Sequence, residues 1–343
     1  MYSETDLNSA VDAGVLSPES AAAFRNHIAA NRLAPAVDEE AFRLLTGFND
    51  IFVAIAIALL LAALAWIGSW AAKPLGGAAV AVAAWGLAEY FTRQRRMALP
   101  SILLLLAFVG GVAASLAGLL VQLNPDLPDR ADMAIAAGIA LVTAGAAWLH
   151  WRRFMVPITV AAGGAALVGV VVSLALALTG GEDRTFYIMV LLGGAAMFAF
   201  AMWWDMSDTE RRTRRADVAF WLHLAAAPMI AHSVFHMLGV FNDDIGPGTA
   251  LVVLALYGVF GFVALAIDRR ALLVSSLTYV LYALYALFQK AGVVELSAAF
   301  TGLVIGSALL LLSAFWHPTR RRVVSTLGDL ARRLPPVQQA VAA

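Results

Sequence analysis

The chain has no cysteine and few charged residues, and these two shortages exclude several classes of protein. Without cysteine there is no disulfide, no thiolate zinc or iron–sulfur site, and no cysteine nucleophile. Charged residues are 13% and apolar residues 62% of the 343 residues, whereas a soluble domain is about a quarter charged and about half apolar. The formal net charge is zero, so we expect no nucleic-acid partner. A chain this apolar suits lipid as its solvent.

Ten apolar segments follow a polar N-terminal stretch. About 20 helical residues cross a bilayer core, and segments near that length begin after Asp50. We expect no secretory signal peptide, because the N-terminal stretch is polar, and insertion then begins with an internal segment. The predicted spans are Ile51–Ala71, Pro74–Phe91, Pro100–Leu123, Ala131–Trp148, Met155–Leu178, Phe186–Trp204, Ala216–Val240, Thr249–Ile267, Ala271–Phe288 and Val293–Trp316.

Arginines occupy every second connection between these spans, and basic residues in short loops favour the cytoplasmic side. We therefore predict an all-α, polytopic bundle of about ten transmembrane helices with both termini in the cytoplasm. The intervening connections carry fewer basic residues. The arginine-bearing connections contain Arg93, Arg95 and Arg96; Arg152 and Arg153; Arg211, Arg212, Arg214 and Arg215; Arg269 and Arg270; and Arg320, Arg321 and Arg322.

Residues 1–48 are predicted to form a small cytosolic helical segment before the transmembrane domain of residues 49–317. One helix is expected to end at Gly14, and a second to begin at Ser17-Pro18, since a capping hydroxyl followed by proline suits the first helical turn. A third helix is predicted from Asp38 to Leu45. Helices this short have little core of their own, so we expect them to pack together, on a protein partner or on the membrane domain.

Residues 318–343 are predicted to be a cytosolic tail whose first part is an amphipathic helix, from Thr319 to about Leu334. Such a helix is typical of the inner membrane surface, and a docking helix for a partner is the alternative. Its apolar residues lie mostly on one helical face and its arginines lie elsewhere. The apolar residues are Val323, Val324, Leu327, Leu330 and Leu334.

A weak repeat accompanies the arginines: each inner helix end has aromatic residues, then a polar or ionisable residue, then arginine. The last arginines of the five sets are 57, 62, 55 and 52 residues apart. Either duplication of a hairpin or convergence on interface chemistry explains this pattern. The acidic residues at these helix ends are predicted to be anchored at the interface or ion-paired: Asp50, Glu89, Asp205 and Asp268.

The seventh span carries the ionisable residues that are the first functional candidates. His232 and His236 share a helix face beside Ser233, and Asp243 and Asp244 follow in the next connection. Intramembrane histidines can relay protons, handle a solute or ligate a metal. They can also be neutral side chains that bond to neighbouring helices. We predict no metal and no cofactor, with the two histidines as the residues that would hold a metal if one bound.

Tyrosines at steps of three in the ninth span form a second candidate stripe. Tyr279, Tyr282 and Tyr285 can line a solute pathway, or they can form a packing face whose hydroxyls bond across helices. Glycines within the spans are expected to permit close helix packing. These glycines are Gly110 and Gly111, Gly163 and Gly164, Gly193 and Gly194, and Gly302 and Gly306.

Two segments carry a resemblance to known proteins: LNSAVDAGVLSPESA at residues 7–21 and GFNDIFVAI at residues 47–55. With the arginine-bounded hairpins, they resemble a family of bacterial predicted polytopic membrane proteins of unknown function that have a short N-terminal helical domain. The resemblance implies a bacterial inner-membrane location. It implies no assigned activity or catalytic residue, and it lowers the expectation of an enzyme.

Two functions are consistent with these features. The first is a transporter or permease-like protein for an unidentified small solute, since ten spans allow two five-helix halves of inverted topology. The second is a non-transporting scaffold or sensor whose cytosolic N-terminal helices bind a protein partner. Membrane lipids are the expected partners in both cases. A polar cavity between the seventh and ninth spans would favour transport, whereas a solid bundle would favour the scaffold.

Overall fold

The computed structural model describes residues 4–32, 48–123, 127–209, 211, 213–240, 247–290 and 296–335, and these residues contain helices and no strand. The predicted helix from Asp38 to Leu45 lies outside these ranges. The helices are α1 Glu4–Asp12, α2 Pro18–Arg32, α3 Phe48–Ala71, α4 Lys73–Ala88, α5 Ala98–Leu123, α6 Asp129–Phe154, α7 Ile158–Thr179, α8 Asp183–Met206, α9 Arg214–Met237, α10 Pro247–Ile267, α11 Ala271–Lys290, α12 Ser297–Ala314 and α13 Trp316–Ser325.

The chain divides into two units, and the smaller one contains α1 and α2. The turn after α1 contains Gly14 at φ +69°, a conformation that glycine adopts without strain. The Ser20 amide donates to the Ser17 hydroxyl at 3.1 Å, which caps α2. Leu7 and Ala21 are buried. The predicted pair of N-terminal helices is therefore confirmed, with Ser17-Pro18 as the second start.

Among its described residues, the larger unit, Arg43–Pro335, contains eight helices that are long and apolar enough to cross a membrane. These are α3, α4 with the π-helical turn Glu89–Gln94 that continues it, and α5 to α10. The pair α12 and α13 meets the same criterion only across a 75° bend, and the apolar part of α11, Ala271–Tyr285, is shorter. The chain is thus a multi-pass helical membrane protein. Every predicted span coincides with a helix, while the count of ten crossings stays a prediction.

Consecutive helices of this unit pack as hairpins, and four of these have an arginine-bearing or inner-end turn: α4 with α5, α6 with α7, α8 with α9, and α10 with α11. The turn of each hairpin contains one non-glycine residue with positive φ: Arg96, Met155, Arg211 and Asp268, at 51° to 58°. These four residues are 59, 56 and 57 residues apart. Left-handed conformations cost L-residues about 1–2 kcal/mol, so their recurrence at the arginine-bearing turns favours a repeated hairpin.

The α4–α5 hairpin depends on glycine for its close approach. A Cβ on Gly77 would lie 2.6 Å from the Gly111 carbonyl oxygen, and a Cβ on Gly111 would lie 2.8 Å from the Gly77 carbonyl oxygen. The two backbones therefore touch where any side chain would separate them. This contact confirms the packing role predicted for Gly111, while Gly77 was not singled out by the sequence pattern.

The other predicted glycines behave differently from one another. A Cβ on Gly194 would meet the Met229 side chain at 2.9 Å, as expected for close packing between α8 and α9. In contrast, a Cβ on Gly110, Gly302 or Gly306 would meet nothing within 4 Å. The packing prediction is wrong for these three glycines within the described chain, because their faces point away from neighbouring helices.

The C-terminal segment differs from the predicted amphipathic helix. Helix α13 ends at Ser325, not near Leu334, and a 3₁₀ turn at Gly328–Arg333 follows. Gly328 has φ +55°, which interrupts the helix. Arg320 is buried together with Val324, so one of the arginines expected at the polar face points into the unit.

Candidate functional site

The histidine–tyrosine cluster joins α8, α9 and α11. His232 Nδ1 lies 2.7 Å from the Tyr279 hydroxyl oxygen, within hydrogen-bond distance. The His236 ring stacks on the Tyr187 ring, with centroids 3.6 Å apart and planes 17° apart. The structure therefore brings together three of the predicted site residues, and it adds Tyr187, which the sequence pattern did not mark.

The remaining candidates do not join this cluster. Ser233 is fully buried, and its hydroxyl has no hydrogen-bond partner among the described residues. Tyr282 and Tyr285 are each 41% exposed on the outside of the unit. Asp243 and Asp244 lie outside the described residues.

Within the described residues, the cluster lies at the surface of the unit and lines neither of its two described cavities. His232 is exposed and His236 is half-buried. Two apolar cavities, one at the ends of α11 and α12 and one between α4, α5 and α6, are lined by other residues. Within the described ranges, no three histidine or acidic side chains are placed to hold a metal ion. This geometry fits side chains that bond between adjacent helices.

A second group of side chains is far more enclosed, and we call it the buried ionic cluster. It lies where the arginine-bearing connections meet, and its charged side chains are 1% to 9% exposed. Charges are expensive to bury unless they are paired and hydrogen-bonded. The members are Asp205, Arg211, His223, Asp268, Arg269, Trp316 and Arg320.

One half of the buried ionic cluster is centred on Asp205 at the end of α8. Arg269 donates to both carboxylate oxygens, from Nη2 at 2.6 Å and from Nε at 3.2 Å. Arg269 Nη2 also donates to the Ala216 carbonyl at 3.2 Å. Such two-point pairing of guanidinium and carboxylate is strong and directional. It joins α8, α9 and the turn before α11.

His223 completes this half from the middle of α9. Its Nε2 lies 3.0 Å from a carboxylate oxygen of Asp205. A carboxylate only accepts hydrogen bonds, so Nε2 carries the hydrogen and donates it. Nδ1 has no hydrogen-bond partner in the described chain, and the Phe198 ring packs edge-on against the imidazole at 5.0 Å. His223 therefore belongs to the buried ionic cluster and not to the group of His232 and His236.

The other half is centred on Asp268, in the turn after α10. Arg211 Nη1 donates to Oδ2 at 3.0 Å, and Trp316 Nε1 donates to Oδ1 at 2.9 Å. Arg320 Nε lies 3.4 Å from the same Oδ1. Arg211 also donates to the Ile267 and Asp268 carbonyls, which lack helical partners at the end of α10. Asp268 thus joins the α8–α9 connection, α10 and α13.

The acidic residues at these helix ends were predicted to be anchored at the interface or ion-paired, and Glu89, Asp205 and Asp268 are ion-paired. Glu89 accepts from Arg153 at 2.6 Å, but this pair is 30% and 41% exposed. The sequence signal, an acidic residue shortly before arginine, is the same in all three cases. It did not indicate burial of two of them, or the participation of His223 and Trp316.

Comparison with known proteins identifies no relative. No family model, curated protein or solved structure matches the chain. Any function is therefore inferred from the geometry of the two clusters. In the buried ionic cluster both carboxylates are occupied by arginine, and the side chains connect five elements, which suits a cluster that fastens helices together.

Proposed function

We propose that the protein is a membrane scaffold or sensor that does not carry a solute, and that its cytosolic elements bind a protein partner. The observation that supports this proposal most is the attachment of α13. Asp268 accepts a hydrogen bond from Trp316 and forms an ion pair with Arg320, and both of these residues belong to α13. A helix held by buried polar contacts keeps one orientation, which a recognition surface requires.

The proposed topology has ten membrane crossings and both termini in the cytoplasm of a bacterial inner membrane. The Glu89–Arg153 ion pair places the first two arginine-bearing connections beside one another, and the Asp205–Arg269 and Asp268–Arg211 pairs do the same for the third and fourth. Arginine-rich short connections favour the cytoplasmic side. In this arrangement α13 and the N-terminal unit face the same compartment.

Transport of an unidentified small solute is the second candidate, and the histidine–tyrosine cluster favours it. The hydrogen bond between His232 and Tyr279 connects α9 with α11 inside the proposed membrane region. Repeated hairpins also agree with the internal repeats on which many transporters are built. The scaffold is preferred because the described side chains of this cluster line neither apolar cavity.

The accessibility of introduced cysteines distinguishes the two functions. Because the chain has no cysteine of its own, no native thiol contributes background labelling. Ser233→Cys on α9 and Ser276→Cys on α11 each replace a fully buried hydroxyl by a thiol of similar size. Intact cells and inverted vesicles would be treated with a membrane-impermeant methanethiosulfonate. The controls for the two sides of the membrane are two exposed positions: Thr179→Cys at the end of α7 and Ser207→Cys at the end of α8.

If the protein is a scaffold, we expect each control cysteine to be labelled from its own side of the membrane. The two buried cysteines should not be labelled from either side. A transporter that alternates its access exposes the region between α9 and α11 to water. Labelling of Ser233→Cys or Ser276→Cys in folded protein would therefore overturn the scaffold proposal in favour of transport.

A second measurement tests partner binding directly. A photo-crosslinker attached at Arg321→Cys, an exposed position on α13, is expected to give one protein adduct of reproducible mass in cells. The same crosslinker at Thr179→Cys is the matched control on the opposite side. Equal adduct patterns from both positions would contradict a specific surface on α13.

A further inference from the structure

An apolar groove of about 480 Å³ lies between α4, α5 and α6. Small residues of α4, including Ala78 and Val82, leave the space open, and Val142 of α6 lines the opposite wall. Trp85 and Phe108 pack together at one end, with ring centroids 5.0 Å apart. Val82 is 75% exposed, so the groove opens to the outside of the helical unit.

The groove lies within membrane-spanning helices, where hydrocarbon is the surrounding solvent. An empty apolar groove would forfeit the dispersion contacts of its walls, and a flexible hydrocarbon chain can enter it from the bilayer. Its volume falls within the range of about 300–1,000 Å³ that is typical of ligand pockets. A lipid acyl chain therefore has the chemistry and size of the occupant.

The end of the groove at Trp85 leads to a strongly basic surface. One turn further along α4, Glu89 accepts from Arg153 of α6 at 2.6 Å and from Arg93 at 3.3 Å. Arg93 and Arg153 remain 57% and 41% exposed. Residues 89–96 and 152–153 together hold five arginines against one glutamate. This excess of positive charge complements an anionic lipid headgroup.

The groove and the arginines are close enough for one lipid molecule. Arg93 follows Trp85 by eight residues, which is roughly 12 Å along a helix. A phospholipid whose chain lies beside Trp85 can place its glycerol and phosphate at that distance. The Glu89–Arg153 pair bridges α4 and α6 at this end, so both walls of the groove carry an arginine toward the headgroup position.

We propose that this groove and its arginine rim are a binding site for an anionic phospholipid. One acyl chain occupies the groove along α5, and the phosphate lies beside Arg93 and Arg153. The site is independent of the proposed scaffold function, because it lies on α4, α5 and α6, away from the α10–α13 contacts around Asp268.

Native mass spectrometry tests the site on full-length protein with phosphatidylglycerol and phosphatidylcholine of the same acyl chains. The wild-type chain is expected to retain more phosphatidylglycerol than phosphatidylcholine. Arg93→Gln is expected to reduce this preference about fivefold, the effect of one arginine near an anionic lipid surface. Arg184→Gln, an exposed arginine at the opposite end of the helices, is the control and should leave the preference unchanged.

Filling the groove tests the acyl-chain half of the proposal. Ala78→Phe is expected to abolish retention of both lipids, whereas Val171→Phe on the exposed face of α7 should not. If Ala78→Phe does not fold, Val82→Trp decides the question, because it fills the groove from its open side. Equal retention of the two lipids by the wild type, or unchanged retention in the folded groove variant, would overturn the site and indicate unselective annular lipid only.

Discussion

Removal of the Asp205 charge is expected to destabilise the membrane unit strongly. Asp205→Asn keeps the volume of the side chain but removes the ion-pair partner of the Arg269 guanidinium, and these side chains are 1% and 4% exposed. Breaking one partner of a buried ion pair costs about 3–5 kcal/mol. The asparagine carbonyl still accepts one hydrogen bond, so we expect a loss of about 3 kcal/mol in the free energy of unfolding.

The free energy of unfolding can be measured by titrating sodium dodecyl sulfate into mixed micelles and following helicity by circular dichroism. Asp132→Asn is the matched control, because Asp132 is an exposed aspartate in the first turn of α6. We expect a change of about 0.5 kcal/mol or less for this control, as for other surface substitutions.

A double-mutant cycle separates the pair from its surroundings. Asp205→Leu and Arg269→Met each leave a buried charge uncompensated, whereas the double variant removes both charges and keeps apolar volume. We expect the double variant to lose less stability than the sum of the two single variants, by roughly 1–3 kcal/mol. Additive losses, or a loss no larger in Asp205→Asn than in the control, would refute the coupling inferred from the 2.6 Å contact.

Two further predictions concern other contacts in the same unit. Gly77→Ala is expected to lower the free energy of unfolding by about 1–3 kcal/mol, because its Cβ overlaps the backbone of α5. Gly110→Ala is the control, since its Cβ would meet no atom within 4 Å, and it should be neutral or stabilising by up to about 1 kcal/mol. Equal effects of the two variants would contradict the close approach of α4 and α5. Asp268→Asn is expected to loosen α13 and increase the maleimide reactivity of Val324→Cys, a position 7% exposed in the native chain; unchanged reactivity would contradict the role of Asp268 in holding α13.

The positions of the helices followed from local sequence. In hydrocarbon every backbone amide and carbonyl must be satisfied within its own segment, so an apolar run of sufficient length becomes a helix whatever its neighbours are. For this reason each predicted span coincides with a helix from α3 to α12. The start of α2 at Ser17-Pro18 is also local, because the capping hydroxyl lies within one turn of the amide that it satisfies.

Partner choice was decided by tertiary structure. His232 and His236 share a helix face, yet one bonds to Tyr279 and the other stacks on Tyr187. These partners are more than 40 residues away along the chain, and no local spacing records them. The sequence could therefore mark the histidines as unusual, but it could not distinguish a cavity from a contact between helices.

The burial of the acidic side chains was also decided by how the helices pack together. Glu89, Asp205 and Asp268 have similar local sequences, with an acidic residue before arginine. Glu89 nevertheless stays partly exposed with Arg153, while Asp205 and Asp268 are buried with their arginine partners. Composition and periodicity determine which segments enter the bilayer, because that depends on each segment's own transfer from water. How deeply a charge is buried depends on how closely separate helices approach, and only the folded arrangement of all of them decides it.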